Sequence, residues 1–258
     1  LNVRVEPTDS TDEIGELTEA FNSMADSLEQ SEQRRQEFIA NVSHELKTPM
    51  TTIGGYVDGI LDGTISKDNE KHYLQIVSSE VRRLSRLVRS MLDLSRLQAQ
   101  GIDESRKTRF DLGDVMSDVL ITFEQKINAR GLQVSVDLPE KPVWTKADRD
   151  AITQVVYNLL DNAIKFCPVG GNLGLILEQD GQKARLRIRN TGQTIPPEEL
   201  PLLFDRFHKA DKARSADREG WGLGLYIAKT IIGAHGGEIW ATSENGVTEF
   251  TFTLPAVR

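Results

Sequence analysis

The segment FIANVSHELKTPM, residues 38–50, determines how the first part of this chain folds. Its apolar residues Ile39, Val42 and Leu46 recur at spacings of three and four, the pattern of a helix that packs against other helices. In this heptad frame His44 takes position f, the position furthest from the packed seam. Pro49 follows and removes one helical hydrogen bond. The pattern therefore predicts a helix that carries a histidine on its solvated side, just before a bending point.

The same periodicity extends outward on both sides of this segment. It predicts one nearly continuous helix over 13–61, a polar turn over 62–69 and a second helix that carries apolar residues from Leu74 to Met91. Two helices joined by a short loop form an antiparallel hairpin. Because a hairpin alone leaves half of its apolar stripe uncovered, we expect a homodimer in which two hairpins form a four-helix bundle.

The heptad phase slips once within the first helix. Leu28 and Ile39 are separated by a heptad plus four residues, which is a stutter. The segment between them, EQSEQRRQE, is wholly polar. It is either a solvated helical spacer or a weak joint through which an upstream rotation passes downstream.

Composition limits the function classes. The chain has 258 residues, of which 38% are apolar and 27% charged, so it is long enough for more than one domain with a core. Its net charge of −8 argues against a nucleic-acid partner. The single cysteine, Cys167, excludes an internal disulfide framework and fits a reducing compartment. No apolar run approaches the ~18–20 residues that span a bilayer, but the start at Leu1 without a methionine suggests a piece of a longer protein.

From Phe110 onward the sequence mixes helical and strand patterns. The predicted elements are a strand over 133–138, a helix over 148–166, strands on both sides of the turn Asp180–Gly181, a helix over about 222–234 and a hairpin around Asn245–Gly246. This order indicates an α/β sandwich in which one sheet is layered on helices. Residues 101–109 are the predicted linker.

The helix over 148–166 carries polar residues that suit a nucleotide site. Asn158, Asn162 and Lys165 lie on one narrow stripe of this helix. Such a stripe can simply be solvated. Alternatively, an asparagine oxygen can bind Mg²⁺ without adding negative charge beside a triphosphate, and Lys165 can neutralise phosphate oxygens. Phe166 can stack on a base, or it can belong to the core.

A glycine-rich run, EGWGLGLYIAK, comes just where the next helix begins. Gly220, Gly222 and Gly224 would let backbone N–H groups approach a phosphate at that helix N-terminus. Loops and close packing also recruit glycine, so the run alone is weak evidence.

The charged segment FDRFHKADKARSADRE lies upstream of these glycines. It contains Arg206 and Lys209 and can close over a nucleotide, or it is an exposed loop. His72 and His235 are predicted to be surface or structural residues. No group of residues has the spacing of metal ligands, so no structural metal is expected.

Taken together, these motifs resemble one protein family. FIANVSHELKTPM, NLLDNAIKF, NTGQTIP, LFDRFHK and GWGLGL occur in the order of the H, N, G1, F and G2 boxes of bacterial two-component sensor histidine kinases. DEIGELTEAFNSMADSL resembles the second helix of a HAMP signalling domain. The resemblance implies a multidomain chain with an all-α helical hairpin, forming a dimeric four-helix bundle, followed by an α/β sandwich of the Bergerat ATPase type. The implied domains are the C-terminal part of a HAMP domain over 1–30, a dimerisation and histidine phosphotransfer domain over 31–100, the linker over 101–109 and an ATP-binding catalytic domain over 110–258.

The resemblance also implies roles for single residues. His44 would accept the γ-phosphoryl group of ATP, Glu45 would orient the imidazole ring or take its proton, and Thr48 would position the water that dephosphorylates a partner. The implied cofactors are ATP and Mg²⁺, with Asn158 as the metal ligand. The implied nucleotide-binding residues are Asn158, Asn162, Lys165, Phe166, Asn190, Gly192, Arg206, Lys209, Gly220, Gly222, Leu223 and Gly224.

The function implied by the resemblance is ATP-dependent autophosphorylation on His44 and phosphoryl transfer to an aspartate of a response regulator, with phosphatase activity toward that regulator. The chain would be the cytoplasmic part of a cell-membrane receptor whose membrane segment lies upstream and is absent from this chain. Two alternatives remain open. A Bergerat-type ATPase that drives conformational change would form no acid-labile phosphate, and a scaffold with a degenerate site would bind no nucleotide.

The G1 box departs from the pattern Asp-x-Gly-x-Gly that is usual in the family, because it reads Asn190-Thr191-Gly192-Gln193-Thr194. In resembling proteins the aspartate accepts a hydrogen bond from the adenine amino group. Asn190 can still accept through its carbonyl, but its amide can also turn and donate to guanine O6. Thr194 in place of glycine narrows the backbone angles beside the base. These changes predict weaker ATP binding and looser exclusion of GTP, unless neighbouring contacts preserve the selectivity.

Overall fold

The structure is a computed structural model that describes residues 4–5, 13–100, 103–208 and 221–257. The chain divides into two compact units, Leu1–Ser85 and Arg86–Arg258, here called unit 1 and unit 2. In the described ranges no helix combines the length and the apolar character needed to cross a membrane.

Unit 1 is built from a helical hairpin. Helix α1 spans Glu13–Leu61 without interruption, as predicted, and α2 spans Lys67–Gln100, so that it starts in unit 1 and ends in unit 2. The predicted turn over 62–69 is too long, because α2 already begins at Lys67 with acidic residues in its first turn. Acidic side chains stabilise a helix N-terminus. The rings of Tyr56 and Tyr73, one from each helix, pack with their centroids 4.9 Å apart.

The apolar stripe of the hairpin remains uncovered in the single chain. Leu17 is 70% exposed, Met24 65% and Leu74 51%. Leu17 and Met24 belong to the run Leu17, Phe21, Met24 and Leu28 on α1, whose spacings of four and three predict a packed seam. A stripe of this length that stays exposed marks an interaction face, which is the feature from which the homodimer is predicted.

The polar segment over 29–37 is part of the continuous helix α1. Arg35 forms an ion pair with Glu32 at 2.9 Å, and the Gln33 amide donates to Glu37 at 3.0 Å. The hydrogen bond from Arg35 lowers the pKa of the Glu32 carboxyl. The segment is therefore a helix supported by its own side-chain pairs, and its role as a relay joint stays a prediction.

Within the described residues, unit 2 contains a five-stranded sheet, a two-stranded sheet, four complete α-helices and two short 3₁₀ helices, Glu104–Arg106 and Leu200–Phe204. Its elements are β1 Lys107–Asp111, α3 Leu112–Thr122, α4 Glu124–Ala129, β2 Gln133–Asp137, β3 Trp144–Asp148, α5 Arg149–Phe166, β4 Asn172–Asp180, β5 Lys183–Thr191, α6 Gly224–Ala234, β6 Ile239–Glu244 and β7 Val247–Pro255. The larger sheet has the order β2-β4-β5-β7-β6, and β1 pairs with β3. The long helical region followed by a mixed α/β domain confirms the predicted fold class.

The core of unit 2 follows from strict alternation along the central strands. Leu175 on β4, Leu186 on β5 and Phe252 on β7 are fully buried, and they share the face of the sheet on which their neighbours in register also lie. Val155 and Leu159 of α5 are equally buried. The sheet therefore buries one face, and the polar stripe of α5 is only partly exposed and borders the buried residues of the helix.

Four elements of unit 2 have no clear signal in the sequence, namely β1, α3, α4 and β3. Residues 104–109 of the predicted linker fold as a 3₁₀ helix over Glu104–Arg106 and the start of β1. Strand β1 is ordered by pairing with β3, where Phe110 lies opposite Thr145. This partner is distant in sequence, and so local composition does not reveal the strand. The linker prediction is corrected accordingly.

Candidate functional site

His44 lies on α1 with its side chain exposed, as its heptad position predicts. The Thr48 hydroxyl donates to the backbone carbonyl of His44 at 3.2 Å, and Thr48 is also exposed. Glu45 is half-buried, and the helix continues through Pro49. The structure therefore brings the three predicted catalytic residues to one accessible part of α1, within little more than one turn.

Helix α5 starts at a strong N-cap, which fixes its register. The Asp148 carboxylate accepts from the backbone N–H groups of Asp150 at 3.0 Å and Ala151 at 3.2 Å. Further along the helix, the Asn158 side-chain NH₂ donates to the carbonyl of Gly224 at 3.1 Å. This bond ties the polar stripe of α5 to the first residue of α6, although the two are 66 positions apart.

The bond from Asn158 also tests whether this residue fits a magnesium ion. The NH₂ group of Asn158 donates to Gly224, so this orientation of the amide leaves its carbonyl oxygen to accept a hydrogen bond or to bind a cation. Carbonyl oxygens are among the ligands that Mg²⁺ takes in proteins beside nucleotide phosphates. Asn158 therefore fits the predicted role of metal ligand.

The end of α5 carries Lys165 and Phe166. The Lys165 ammonium lies 5.5 Å from the centroid of the Phe166 ring. Phe166 is 38% exposed, so that it is not a core residue. The turn that follows is fixed by Arg130, whose guanidinium donates to the Cys167 carbonyl at 2.5 Å. A cation at this position also suits the negative end of the helix dipole.

The G1 segment begins with the last two residues of β5, Asn190 and Thr191, and its Gly192 lies against the end of α5. Asn190 is buried, and its NH₂ group donates to the Thr191 carbonyl at 3.0 Å. A Cβ at Gly192 would lie 2.9 Å from the Phe166 carbonyl oxygen and 3.3 Å from Asn190 Nδ2. Only glycine fits this position without displacing its neighbours. Phe166, Asn190 and Gly192 thus form one closely packed wall, here called the base wall.

The orientation of the Asn190 amide bears on selectivity. If the amide turned to donate outward, it would lose its bond to Thr191 and place its oxygen against that carbonyl. The structure therefore favours the acceptor orientation. Thr194 is not among the described residues with positive φ, so the backbone conformation at this position does not require a glycine.

Gly222 is required by its backbone and by its neighbours. Its φ is +68°, and a Cβ would lie 2.6 Å from the His208 carbonyl oxygen. Leu223 is buried, and Gly224 is the first residue of α6. The N-terminus of α6 therefore lies beside Asn158, and its backbone N–H groups are suited to an anion. Gly220 and Lys209 of the predicted site lie outside the described residues.

Arg206 does not extend away from the domain but lies against α6. Its guanidinium donates to the Tyr226 hydroxyl at 2.6 Å, and its Cζ lies 4.6 Å from the centroid of the Tyr226 ring. Next to it, His208 Nε2 lies 2.7 Å from a carboxylate oxygen of Glu199. Sequence analysis identified Arg206 but missed Tyr226, its partner, and Glu199, the partner of His208, because nothing in the local sequence pattern marks either contact.

His235 is a structural residue, as predicted. Its Nδ1–H donates to the Ile231 carbonyl at 2.9 Å, and its Nε2 accepts from the backbone N–H of Asp148 at 3.0 Å. Burial lowers the pKa of this imidazole. The neutral ring therefore joins the C-terminus of α6 to the N-cap of α5, the two helices that carry the candidate site.

Comparison with known proteins adds three matches to family models. Residues 147–258 match the histidine kinase-, DNA gyrase B-, and HSP90-like ATPases, residues 34–100 match the His Kinase A phospho-acceptor domain, and residues 1–30 match the HAMP domain. Sensor protein SrrB of Staphylococcus aureus is 38% identical over 226 residues, which are 87% of this chain and 38% of that protein. The chain thus spans about two fifths of the length of the curated relatives it matches.

Two solved structures extend the comparison. The Acinetobacter baumannii histidine kinase AdeS is 30% identical with a TM-score of 0.68, over 83% of this chain and 98% of that one. The histidine kinase ThkA, solved in complex with the response regulator protein TrrA, is 28% identical with a TM-score of 0.72, over 90% of this chain and 66% of that one. These similarities extend over both the helical and the α/β parts of the chain.

Proposed function

We propose, from the premise that this chain belongs to the bacterial two-component sensor histidine kinases, that it uses ATP to phosphorylate His44 and passes the phosphoryl group to an aspartate of a response regulator. The observation that carries this proposal is the bond from Asn158 to Gly224. It brings together the asparagine stripe of α5 and the glycine-rich start of α6, two features that are each weak evidence alone.

The residues of unit 2 would hold the nucleotide. The Asn158 carbonyl oxygen would bind a magnesium ion, and a bound magnesium ion supplies positive charge that offsets the charge on the phosphates. Lys165 would neutralise phosphate oxygens, and the N-terminus of α6 would receive phosphate on its backbone N–H groups. The base wall of Phe166, Asn190 and Gly192 would hold the adenine, with the Asn190 carbonyl oxygen accepting from its amino group. Arg206 and Lys209 complete the proposed set of nucleotide-binding residues.

The chemistry would take place at the His44 imidazole. Its unprotonated nitrogen, Nε2, would attack the γ-phosphorus in line, the bond from that phosphorus to the β,γ-bridging oxygen would break, and ADP would leave with the electron pair. The proton on the other ring nitrogen would pass to Glu45 or to water. Exposure of His44 is required, because the phosphate donor is bound by other residues of the chain.

Phosphatase activity toward the regulator is a further part of the proposal. Thr48 would position the attacking water, because it lies one turn after His44 with an exposed hydroxyl. Thr48→Ala should phosphorylate itself normally but dephosphorylate the regulator more slowly. An unchanged rate of dephosphorylation would exclude this role for Thr48.

The assembly and location of the chain are proposed from other features. The exposed stripe of unit 1 supports a homodimer, and the complex of ThkA with TrrA supports a regulator as partner. The HAMP match supports a position on the cytoplasmic side of a membrane receptor. We also propose the domain limits given by the motifs, with the start of the catalytic domain moved to β1.

Labelled ATP tests the proposal directly. The wild-type chain should gain acid-labile, base-stable label, whereas His44→Gln should gain none and still bind ATP with unchanged affinity in a titration. His72→Gln is the matched control, because it makes the same change at another exposed histidine of the hairpin. Label on His44→Gln would refute the assignment, and label on no variant despite ATP binding would favour the ATPase alternative.

A further inference from the structure

The loop that follows Asn190 is tied to the turn between β6 and β7. The Gly192 N–H donates to the Gly246 carbonyl at 2.8 Å, and the Gly246 N–H donates to the Thr194 hydroxyl at 2.9 Å. Both backbone groups of Gly246 are therefore bound by the loop. One residue further, the Ile195 N–H donates to the Ser243 hydroxyl at 2.9 Å.

The turn is a rigid anchor for this loop. Glu244 and Val247 pair across the hairpin, so that Asn245 and Gly246 form a two-residue turn. Their φ values are +50° and +75°, which is the left-handed geometry of the hairpin turns that match strand twist. Because β7 is a central strand of the sheet, the turn is held by the core of unit 2.

The loop that follows Asn190 fixes the position of the base wall. Gly192 has no free space on the side of Phe166 and Asn190, as the distances from a Cβ to their atoms show. A shift of the loop would therefore move Gly192 away from Asn190 and loosen the wall. Among these described contacts, the Thr194 hydroxyl is the one side-chain group that accepts a hydrogen bond from Gly246.

We propose that Thr194 is a positioning residue for the nucleotide, holding the base wall in its binding geometry through the Asn245–Gly246 turn. The proposal rests on the proposed nucleotide site. A glycine, which the family pattern has at this position, has no side chain to accept the bond from Gly246. A loop that is already ordered loses less conformational freedom when a ligand binds, so that the hydroxyl should strengthen nucleotide binding without touching the reacting atoms.

The test is a calorimetric titration of the full chain with Mg·ADP. Thr194→Val removes the hydroxyl at nearly constant shape, and Thr194→Gly removes the whole side chain at an exposed position where folding is not at risk. Both should weaken ADP binding about three- to ten-fold, the size of one net hydrogen bond. Thr194→Ser, which keeps the hydroxyl, should stay within about two-fold of the wild type on the same reasoning. Thr122→Val is the matched control, because the Thr122 hydroxyl bonds only within α3, to the Val119 carbonyl at 2.7 Å.

Autophosphorylation kinetics distinguish positioning from a loss of stability. In Thr194→Val the KM for ATP should rise by the factor found for ADP, while the rate at saturating ATP stays at the wild-type value. A lower melting temperature with unchanged ADP affinity would overturn the inference, and so would a Thr194→Ser variant as weak as Thr194→Val. If the wild-type chain itself binds no ADP, the proposed nucleotide site fails and this inference fails with it. If the wild-type chain binds ADP normally and Thr194→Val binds it equally well, this inference is rejected while the proposed nucleotide site stands.

Discussion

In unit 1, Leu17, Met24 and Leu74 expose half or more of their side chains, whereas in unit 2 Leu173, Leu186 and Phe252 expose none. Both sets are apolar residues in regular elements, and both follow the period of their element. The difference is that the strands of unit 2 find their partners within the same chain, while the hairpin of unit 1 presents a stripe with no cover. Burial of apolar surface is the main favourable contribution to folding, so the two units should respond differently to mutation, to dilution and to pH.

The largest expected effect is a loss of stability when the core of unit 2 is truncated. Leu186→Ala leaves a cavity under the central strand β5 and should lower the free energy of unfolding by about 2–5 kcal/mol. Tryptophan fluorescence during urea unfolding measures this change selectively, because Trp144, Trp221 and Trp240 all belong to unit 2. The midpoint should not depend on protein concentration. A shift of less than about 1 kcal/mol would mean that this core repacks.

The next prediction concerns the stripe of unit 1. If a second copy covers it, the helical signal of the chain should melt at a higher temperature as the protein concentration rises, because association stabilises by mass action. Leu74→Glu places a charge in the seam and should abolish both the dimer and this dependence. Gln75→Glu adds the same charge at a neighbouring exposed position and should leave both intact. A wild-type monomer in analytical ultracentrifugation would show that no second copy covers the stripe.

The same contrast explains what could be predicted from the sequence. Helix α1 and the strands β4, β5 and β7 were predicted because their apolar residues repeat at a fixed period. Strand β1 has one buried apolar residue, Phe110, and is ordered by β3 some 35 positions later. All three residues of the base wall, Phe166, Asn190 and Gly192, were recognised through motifs. The hydrogen bond from the Gly246 N–H to the Thr194 hydroxyl was not predicted, because it joins two loops and depends on a backbone group that carries no residue signature.

The third prediction separates the units by pH. Burial lowers the pKa of His235 below the value of about 6.5 that an unfolded chain would show. As the pH falls below about 6.5, the unfolded state therefore binds more protons at this residue, and unit 2 loses stability until the pH reaches the folded pKa. The slope from one proton is at most about 1.4 kcal/mol per pH unit. Above about pH 7 the contribution of His235 to the stability of unit 2 is fully present.

Fluorescence-detected unfolding between about pH 5 and 8 checks this prediction over the window in which histidine titrates. His235→Gln should be less stable at every pH but should lose part of the pH slope. His72→Gln changes an exposed histidine of unit 1 and should keep the wild-type slope in this signal. Equal slopes in the wild type and His235→Gln would show that another group carries the dependence.

The last and smallest effect concerns Asn190, where the family pattern has aspartate. Two effects on ATP affinity oppose each other in the variant Asn190→Asp. A carboxylate accepts from the adenine amino group more strongly than a neutral amide. However, the aspartate cannot donate to the Thr191 carbonyl, which lies 3.0 Å from the asparagine NH₂, and would place an oxygen there instead. We therefore expect ATP to bind the variant more tightly by no more than about 1 kcal/mol, the scale of one hydrogen bond.

The ratio of ATP to GTP affinity should agree within about three-fold between the wild type and Asn190→Asp, because the anchored amide of Asn190 already presents only its oxygen to the base. Titration of both nucleotides into both proteins measures this, with Asn128→Asp on α4 as the control for added charge. A ratio that rises ten-fold or more in Asn190→Asp alone would show that the wild-type amide turns in solution and that the bond to Thr191 does not hold it.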